Sequence, residues 1–395
     1  MRVLFLTHRL PYAPNRGDRV RAYHLLRALS GHAEVDLLSL VHDADEASHA
    51  GELGELAASV TAIRVPRFLN LLRSAAFLPS SRPTTHTMLD APELAEAVGA
   101  LARRSPDVVL AYCSGMARCA LEPALRDRPL VLDMVDVDSA KWAAMAETHA
   151  TPRSWVYARE ARVLRKFEAS AAAHASTVMV VTDKERQTMM AIAPGARVEV
   201  VPNGVDAARL RPPSRPAGEP LVVFCGVMNY APNEEAVIWF AREVWPLVIA
   251  RRVDARFDII GSSPTPAVQA LADPDRHITV SGAVADVAPY LWKAAVSVAP
   301  LRTARGIQNK VLEAVAAGLP TVVTPLVSEA LPGVVLSACR VAGSPQAFAD
   351  AVLTYLEWPP EQRRELALAV DFGSLSWERT LAPVHTILAQ AASRA

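Results

Sequence analysis

Short, continuous runs of apolar residues recur along this 395-residue chain, and stretches with a helical pattern separate them. Such runs are typical of strands buried on both faces, because a strand with one face in water alternates apolar and polar residues. The runs form two series, a first at 3–6, 35–40, 60–65, 108–111, 131–134 and 178–181, and a second at 221–225, 257–260, 278–280, 296–299 and 321–323. We therefore expect an α/β protein with two doubly wound parallel sheets, each covered by helices on both faces.

The length of the chain supports two domains of this kind, since 395 residues exceed what one hydrophobic core usually organises. The proline- and charge-rich stretch 209–220 lies between the two series and has the composition of a linker. Helical patterns include 234–251 in the second series and an amphipathic stretch at 377–391. Doubly wound sheets bind ligands at the carboxyl ends of their strands, so we expect the site in a cleft between the two domains.

The overall charge excludes one class of partner. Lys and Arg together number 41, as do Asp and Glu, so no net field directs the chain to nucleic acid and any anion site must be local. The four cysteines, Cys113, Cys119, Cys225 and Cys339, show no zinc-like spacing and suit a reducing compartment. The first apolar run is too short for a signal peptide, and no segment approaches the length of a membrane span. We expect a cytoplasmic protein.

The stretch 305–324, RGIQNKVLEAVAAGLPTVVT, indicates an anion site at the start of a short helix. Gly306 lets the backbone approach a ligand closely, and the first N–H groups of the helix can receive a diphosphate. Lys310 adds a full positive charge there. One turn further on, the Glu313 carboxylate suits ribose hydroxyls, and Gly318 is expected to end the helix.

This stretch resembles the donor-site signature of the family 4 glycosyltransferases of the GT-B fold. In that signature a Glu, seven residues and a second Glu precede an Ala-x-Ala-x-Gly-x-Pro-Val-like segment. Glu313 corresponds to the second Glu, whereas Arg305 stands where the family has the first, which contacts the donor sugar. The resemblance implies catalytic roles for Arg305 and Lys310.

Other segments resemble the same family in the same order, so the resemblance covers nearly the whole chain. PNGVD at 202–206 resembles the hinge between the two GT-B domains, although Asn203 also fits a plain turn. Gly226 opens a loop like the family's GxMxYxPN segment, which here has no Lys, and 281–284 matches the segment that holds the nucleotide base. The implied donor-binding residues are Gly226, Asn229, Ser281, Gly282, Val284, Arg302, Gly306, Ile307, Gln308, Asn309 and Glu313.

Within the family, Gly17-Asp18 early in the chain and Gln308-Asn309-Lys310 late most resemble the sugar transferases of PEP-CTERM/exosortase exopolysaccharide clusters. Gly17 and Asp18 lie in the loop 11–19, which resembles the family's glycine loop, and its N–H groups would meet the donor diphosphate or the acceptor hydroxyl. The arginines near this loop either add to the anion site or form a solvated basic face: Arg16, Arg19 and Arg21.

Three aspartates follow the fifth apolar run, at Asp133, Asp136 and Asp138, and we expect them near the cleft rather than buried in the sheet. Asp136 and Asp138 form a DxD pair, which holds Mn²⁺ in the other major glycosyltransferase fold. Because the chain has two Rossmann-like halves, we expect no metal and no cofactor, and we interpret Asp136 as a catalytic residue on the acceptor side. Helix capping by Asp138 or Ser139 is an alternative interpretation of this segment.

Two other enzyme classes lack support in the sequence. No nucleophile elbow surrounds a serine, and no GxGxxG follows the first run, which argues against a hydrolase and a nicotinamide dehydrogenase. His8 follows the first run, where it either lines the cleft or is a loop histidine with satisfied hydrogen bonds.

The segment 67–78, RFLNLLRSAAFL, has apolar residues at helical spacing and two arginines. It could rest on an anionic membrane surface or turn its apolar face to the core. The apolar positions are Phe68, Leu71, Leu72, Ala75 and Ala76.

The sequence thus predicts a retaining GT-B glycosyltransferase that moves a hexose-like residue from a nucleoside-diphosphate donor to a carbohydrate or lipid-linked acceptor, in exopolysaccharide biosynthesis. The resemblance implies an acceptor domain at 1–203, completed by a last helix at 375–395, and a donor domain at 204–374. Two alternatives stay open, a nucleotide-sugar epimerase of the same fold and a non-catalytic sugar-nucleotide-binding protein. Peripheral contact with the inner face of the plasma membrane is a further open interpretation.

Overall fold

Two parallel sheets organise the chain, as the apolar runs predict. The computed structural model describes residues 1–12, 17–148, 152–213, 218–303 and 306–394, with the backbone alone for 17, 18, 148, 152 and 153. These residues form two compact units: the first is Met1–Asn203 with Thr380–Ala395, and the second is Gly204–Arg379.

The sheet of the first unit has seven parallel strands in the order β3-β2-β1-β4-β5-β6-β7. The strands are β1 Arg2–Thr7, β2 Glu34–Val41, β3 Ser59–Arg64, β4 Val108–Tyr112, β5 Leu130–Val135, β6 Thr177–Val180 and β7 Val198–Val200. The six predicted runs are confirmed as strands. The sequence gives no run for β7, because this edge strand has three half-buried residues with a glutamate in the middle.

The sheet of the second unit has six parallel strands in the order β10-β9-β8-β11-β12-β13. The strands are β8 Leu221–Cys225, β9 Arg256–Ile260, β10 Ile278–Gly282, β11 Val296–Ala299, β12 Thr321–Val323 and β13 Cys339–Val341. All five predicted runs are confirmed. The sequence has no apolar run at β13, another three-residue edge strand, because an arginine lies at its centre.

Helices connect the strands and cover both faces of each sheet. In the first unit they are α1 Gly17–Ser30, α2 Ala44–Ser48, α3 Arg67–Ala76, α4 Thr84–Met88, α5 Leu94–Ala102, α6 Ser114–Ala120, α7 Asp138–Thr148, α8 Pro152–His174 and α9 Asp183–Ile192. In the second they are α10 Ala207–Leu210, α11 Ala231–Trp239, α12 Trp245–Ile249, α13 Pro266–Gln269, α14 Ala288–Lys293, α15 Asn309–Ala316, α16 Pro325–Ser328, α17 Gly333–Leu336, α18 Pro345–Glu357 and α19 Pro360–Leu368. The last helix, α20 Trp377–Ala392, starts in the second unit and belongs to the first from Thr380 onward.

The predicted helix 234–251 is wrong as a single α-helix. A π-helical turn, Phe240–Val244, separates α11 from α12, and the N–H of Trp245 donates to the carbonyl of Phe240 five residues back. Pro246 follows at the start of α12. Because proline has no N–H and its ring crowds the carbonyl four residues earlier, regular α-helical bonding cannot continue through this point.

The stretch 209–220 is not the junction between the two units, contrary to its linker-like composition. It lies inside the second unit, whose residues begin at Gly204. Leu210 is buried, and its carbonyl accepts a 2.7 Å hydrogen bond from the indole N–H of Trp292. Residues 214–217 of this stretch lie outside the described residues.

Each unit has its own cluster of buried apolar side chains. The cluster in the first unit includes Leu4, Val109 and Leu132 from neighbouring strands. In the second unit, Phe240 packs 4.7 Å from Phe257, ring centroid to ring centroid, within a separate cluster. Within the described ranges, no helix is both long and apolar enough to cross a membrane.

Candidate functional site

The strand order of each sheet indicates where a ligand would bind. In open doubly wound sheets, ligands bind at the carboxyl ends of the two neighbouring strands whose connections leave in opposite directions. In the second sheet these strands are β8 and β11, which are hydrogen-bonded neighbours. Gly226 directly follows β8, and Arg302 lies three residues beyond β11. Two of the predicted donor residues therefore lie at the carboxyl edge of these two strands.

Lys310 extends from the first turn of α15 toward the end of β8. Its ammonium donates a hydrogen bond to Asn233 Oδ1 and lies 4.3 Å from the ring centroid of Phe224. Asn233 is in turn fixed, because its Nδ2 donates to the carbonyl of Val227 at 2.9 Å. A Cβ at position 226 would lie 2.8 Å from Asn233 Nδ2 and 3.2 Å from Lys310 Nζ, so this packing requires Gly226.

Burial changes the ionisation of two side chains on α15. It lowers the pKa of Lys310 to about 7, although the nearby Cys225 and Glu313 oppose the shift. It raises the pKa of Glu313 to about 7, and Arg209 and Lys310 oppose that shift. Strongly perturbed ionisable groups at a sheet's ligand-binding edge are typical of functional sites.

The loop and helix around these side chains have the predicted backbone. Gly306 has a φ of 63°, the left-handed region that favours glycine, and α15 begins three residues later at Asn309. Gly318, with a φ of 77°, ends the helix as predicted. Its N–H donates to the carbonyl of Val315 at 2.9 Å, and the next N–H donates to Ala314 at 3.0 Å. The amino-terminal end of α15 therefore lies next to Lys310, where the helix dipole favours an anion.

Glu313 lies one turn after Lys310 and is half-buried. Its electrostatic neighbours include Arg209 of α10, which forms a 3.1 Å ion pair with Asp286. Asp286 also accepts a hydrogen bond from the N–H of Ala288 at 3.0 Å, at the start of α14. The Glu313 carboxylate thus has charged neighbours on its own helix, on α10 and just before α14.

The other predicted donor residues are more scattered. Asn229 and Arg302 are exposed in the loops after β8 and β11, Gln308 is half-buried just before α15, and Arg305 lies outside the described residues. The segment 281–284 begins inside β10, whose last two residues are Ser281 and Gly282. It lies two strands from β8 and so about 10 Å away along the sheet. Gly282 has a φ of 72°, and Ser281 is exposed. Two predicted donor residues pack against the hydrophobic cluster of the second unit, namely Val284 and Ile307.

In the first sheet the corresponding strands are β1 and β4, and β5 lies next to β4. His8 follows β1, and its Nδ1 lies 3.4 Å from the Sγ of Cys113, which follows β4. Cys113 has a φ of 66° and Val135, at the end of β5, a φ of 63°. Such backbone is rare for residues with a side chain and clusters at functional sites. Asp136 follows Val135 and is half-buried, so this edge brings together the ends of three neighbouring strands.

Near the predicted glycine loop, Arg19 and Arg21 form buried ion pairs rather than a solvated basic face. Arg19 is buried and forms a 3.3 Å ion pair with Glu46. Arg21 is also buried, with its Nε 2.8 Å from a carboxylate oxygen of Asp133 and its Nη1 3.1 Å from Asn203 Oδ1. Asp133 therefore lies inside the sheet, and its prediction near the cleft is wrong.

Gly17 and Asp18 form the first two residues of α1, so their N–H groups belong to the opening turn of a helix rather than to a loop. Residues 13–16, which precede them and include Arg16, lie outside the described residues.

The start of α7 is capped from another helix, which corrects the prediction of capping by Asp138 or Ser139. Glu168 of α8 accepts a 3.0 Å hydrogen bond from the N–H of Ser139 and a second one from its hydroxyl. Asp138 instead accepts from the hydroxyl of Ser114 at 2.7 Å. In the described part of the chain, no three His, Cys, Asp or Glu side chains form a group that could hold a metal ion.

Models of known protein families match most of each unit. The family model described as "Glycosyl transferase 4-like domain" matches residues 16–204, and the one described as "Glycosyl transferases group 1" matches residues 219–357. The chain is a glycosyltransferase. Among curated protein sequences, none matches it.

Solved structures resemble the glycosyltransferase over its full length. Sucrose-phosphate synthase from Thermosynechococcus elongatus has a TM-score of 0.71 at 15% identity and covers 100% of both chains. Alr3699/HepE from Anabaena, in complex with UDP-glucose, has a TM-score of 0.62 at 15% identity, covering 100% of this chain and 99% of the other. A TarM variant from S. aureus, in complex with alpha-GlcNAc-glycerol and UDP, has a TM-score of 0.67 at 11% identity, covering 98% and 99%. At these identities the likeness establishes the fold, which is of the GT-B type.

Proposed function

We propose that this glycosyltransferase binds a nucleoside-diphosphate sugar in its second unit and transfers the sugar to an acceptor hydroxyl with retention of anomeric configuration. The observation that carries the proposal is the Lys310 ammonium, held by Asn233 at the ligand-binding edge of the sheet beside the start of α15. A diphosphate placed there would meet the protonated Lys310 side chain and helix N–H groups together. The UDP and UDP-glucose bound to the similar Anabaena protein support this donor class.

In this proposal the second unit stabilises the leaving group. As the bond between sugar and diphosphate breaks, negative charge develops on the diphosphate, and Lys310, the Gly306 turn and the first N–H groups of α15 stabilise it. Glu313, one turn deeper, would accept hydrogen bonds from the ribose hydroxyls. Because these groups supply positive charge themselves, we expect transfer to proceed without a divalent cation or other cofactor.

The remaining roles rest on the family resemblance and on position. We assign Arg305 to the donor sugar and Asp136 to the acceptor hydroxyl, since Asp136 lies at the carboxyl edge of the first sheet. The first N–H groups of α1, at Gly17 and Asp18, would face the diphosphate or the acceptor.

We also propose a biological setting. The resemblance to exosortase-associated transferases suggests a glycan or lipid-linked acceptor in bacterial exopolysaccharide assembly. All four cysteines are free thiols, which fits the reducing cytoplasm, where we place the protein.

Nucleotide binding tests the proposal directly. We expect Lys310→Met to weaken the affinity for UDP or another preferred nucleoside diphosphate by about 10- to 100-fold, because a charge-assisted hydrogen bond contributes about 1.5–3 kcal/mol. Glu313→Gln should weaken it by about tenfold through the ribose. Isothermal titration calorimetry gives both values, after a thermal-shift panel has identified the preferred nucleotide.

Two exposed positions of the second unit provide matched controls. Lys293→Met and Glu357→Gln remove the same charges from the last residues of α14 and α18, and both should bind nucleotide like the wild type. Equal affinities for wild type and Lys310→Met would contradict the proposed site.

Turnover separates transfer from the two alternatives. A transferase releases nucleoside diphosphate only when acceptor is added. Release without acceptor would favour an epimerase, and tight binding without any release would favour a non-catalytic binding protein.

A further inference from the structure

Helix α3 faces the opposite way from an ordinary surface helix. Its apolar side chains point to solvent, with Phe68 77% exposed, Leu71 59% and Leu72 56%, whereas Asn70 and Ser74 are buried. A core-facing helix would show the reverse. Of the two interpretations that the sequence left open for 67–78, the structure therefore rules out the apolar face turned to the core.

The buried polar side fixes this orientation. Asn70 Nδ2 donates to the carbonyl of Asp90 at 2.7 Å and to that of Met88 at 3.3 Å. Rotating α3 to bury its leucines would break both bonds and leave two polar groups without these partners. The outward apolar face is thus built into the hydrogen bonding of the first unit.

The segment after α3 is held just as firmly. Arg159 of α8 is buried, and its guanidinium donates to the carbonyls of Phe77, Ser80 and Arg82, the last at 2.7 Å. The adjacent Glu160 accepts the N–H groups of Thr84 and Thr85, at 3.0 and 2.9 Å, where α4 begins. The exposed apolar surface is therefore preorganised, so little ordering would oppose its binding to a partner.

The charge around this surface is one-sided. From Arg64 through Leu89 the chain has four arginines, at 64, 67, 73 and 82, and no Asp or Glu, although the two charge types are equal in number overall. All four arginines are exposed. Arg82 lies 5.4 Å from the ring centroid of Phe77 but pairs with Asp90 at 2.6 Å, so the basic charge available beside the helix comes from Arg64, Arg67 and Arg73. Arginines beside an apolar helix face can reach anionic headgroups while the apolar side chains enter the acyl boundary.

We propose that α3 docks the protein onto an anionic lipid bilayer, with the helix lying in the plane of the headgroups. We define the α3 surface as Phe68, Leu69, Leu71, Leu72 and Phe77 with Arg64, Arg67 and Arg73. A ten-residue helix is about 15 Å long, too small for the roughly 800 Å² that each partner buries in a stable protein interface. It suffices for reversible interfacial binding supported by basic residues. The proposal does not depend on the sugar chemistry proposed for the second unit.

Vesicle flotation of the full chain tests this proposal. We expect the wild type to float with phosphatidylcholine vesicles that contain phosphatidylglycerol, and more weakly or not at all with phosphatidylcholine alone. Phe68→Ser with Leu72→Ser should lower the partition coefficient at least tenfold. Arg67→Glu with Arg73→Glu should abolish the dependence on phosphatidylglycerol.

The matched control replaces exposed apolar residues elsewhere. Val253→Ser with Val334→Ser removes side chains that are 73% and 48% exposed in the second unit, and flotation should stay at the wild-type level. Because all these positions are exposed, we expect unchanged melting temperatures, which separates docking from folding.

Three results would overturn the proposal. The first is wild-type protein that does not float with the anionic vesicles, and the second is flotation that both α3 double variants leave unchanged. The third is a dimer, seen by sedimentation without lipid, that Phe68→Ser with Leu72→Ser converts to a monomer, since the α3 surface would then bind a second copy.

Discussion

Lys310 and Glu313 are one helical turn apart, and burial brings the pKa of each to about 7 from opposite directions. A lysine that is half neutral at pH 7 binds an anion less well than a fully charged one. It gains its proton when the anion arrives, because the added negative charge raises its pKa. Lys310 is thus able to couple nucleotide binding to proton uptake near neutral pH.

This coupling predicts a pH dependence of nucleotide affinity. Above pH 7 the free protein holds Lys310 neutral, so binding must take up a proton, and we expect affinity to fall by up to about tenfold per pH unit. Calorimetry in buffers of different ionisation enthalpy should report that uptake. Lys310→Arg should show a flat alkaline profile, since guanidinium stays charged. A wild-type affinity that does not change between neutral and alkaline pH would contradict the role given to Lys310.

Single residues that have a local signal can be predicted from the sequence. Contacts between residues that lie far apart along the chain cannot. Gly306 and Gly318 were found because a phosphate-facing turn and a helix end favour glycine at particular positions in one short segment. The Arg21–Asp133 pair joins residues 112 apart in sequence, and Asn233 contacts Lys310 from 77 residues away. No periodicity links such positions. The prediction for Asp133 failed because its partner was unknown, and a carboxylate is buried in a sheet only when it is paired.

At the scale of elements, the continuous apolar runs identified the long central strands, whose burial is encoded within a few consecutive residues. The edge strands β7 and β13 carry charged centres and lack that signal. The sequence showed that 67–78 is amphipathic, but which side faces the protein depends on Asn70 and its carbonyl partners 18 and 20 residues away. The close contact between Gly261, directly after β9, and Gly226 also has no signal in the sequence.

At Gly261 the backbone passes too close to Gly226, at the end of β8, for any side chain to fit, and this predicts a sensitive position. Its φ is 151°, and a Cβ there would lie 1.6 Å from the carbonyl oxygen of Gly226. We expect Gly261→Ala to displace the loop after β8, to lower the free energy of unfolding by about 3 kcal/mol or more, and to weaken nucleotide binding.

Gly333→Ala is the matched control, since no atom lies within 4 Å of a Cβ placed there. Chemical denaturation and nucleotide titration of the two variants make the comparison. Wild-type stability and affinity for Gly261→Ala would show that the contact with Gly226 can relax without consequence.

At the scale of the whole molecule, two doubly wound units follow from the two series of runs, but the position of the junction does not follow from composition. Prolines and charges at 209–220 suggested a linker, yet exposed loops within a domain have the same composition. The unit boundary at Asn203 and Gly204 coincides with the PNGVD segment that resembles a hinge. The separate clusters of buried side chains indicate that each unit can fold around its own core.

A fragment experiment tests that independence. We expect residues 204–379 alone to unfold cooperatively and to bind nucleoside diphosphate, with the same loss of affinity on Lys310→Met as in the full chain. Circular dichroism during denaturation and calorimetry provide the two readouts. A fragment without a cooperative transition would mean that the second unit needs the first to fold.

The four thiols have a practical consequence. Burial raises the pKa of Cys119 to about 11 and that of Cys113, Cys225 and Cys339 to about 12. At neutral pH, on the order of one thiol in ten thousand or fewer is therefore a thiolate, the form that reacts with maleimides. Cysteines introduced on the surface would accept a fluorophore or spin label far faster than the native four. The distance between two such labelled positions can thus be measured without replacing the native cysteines.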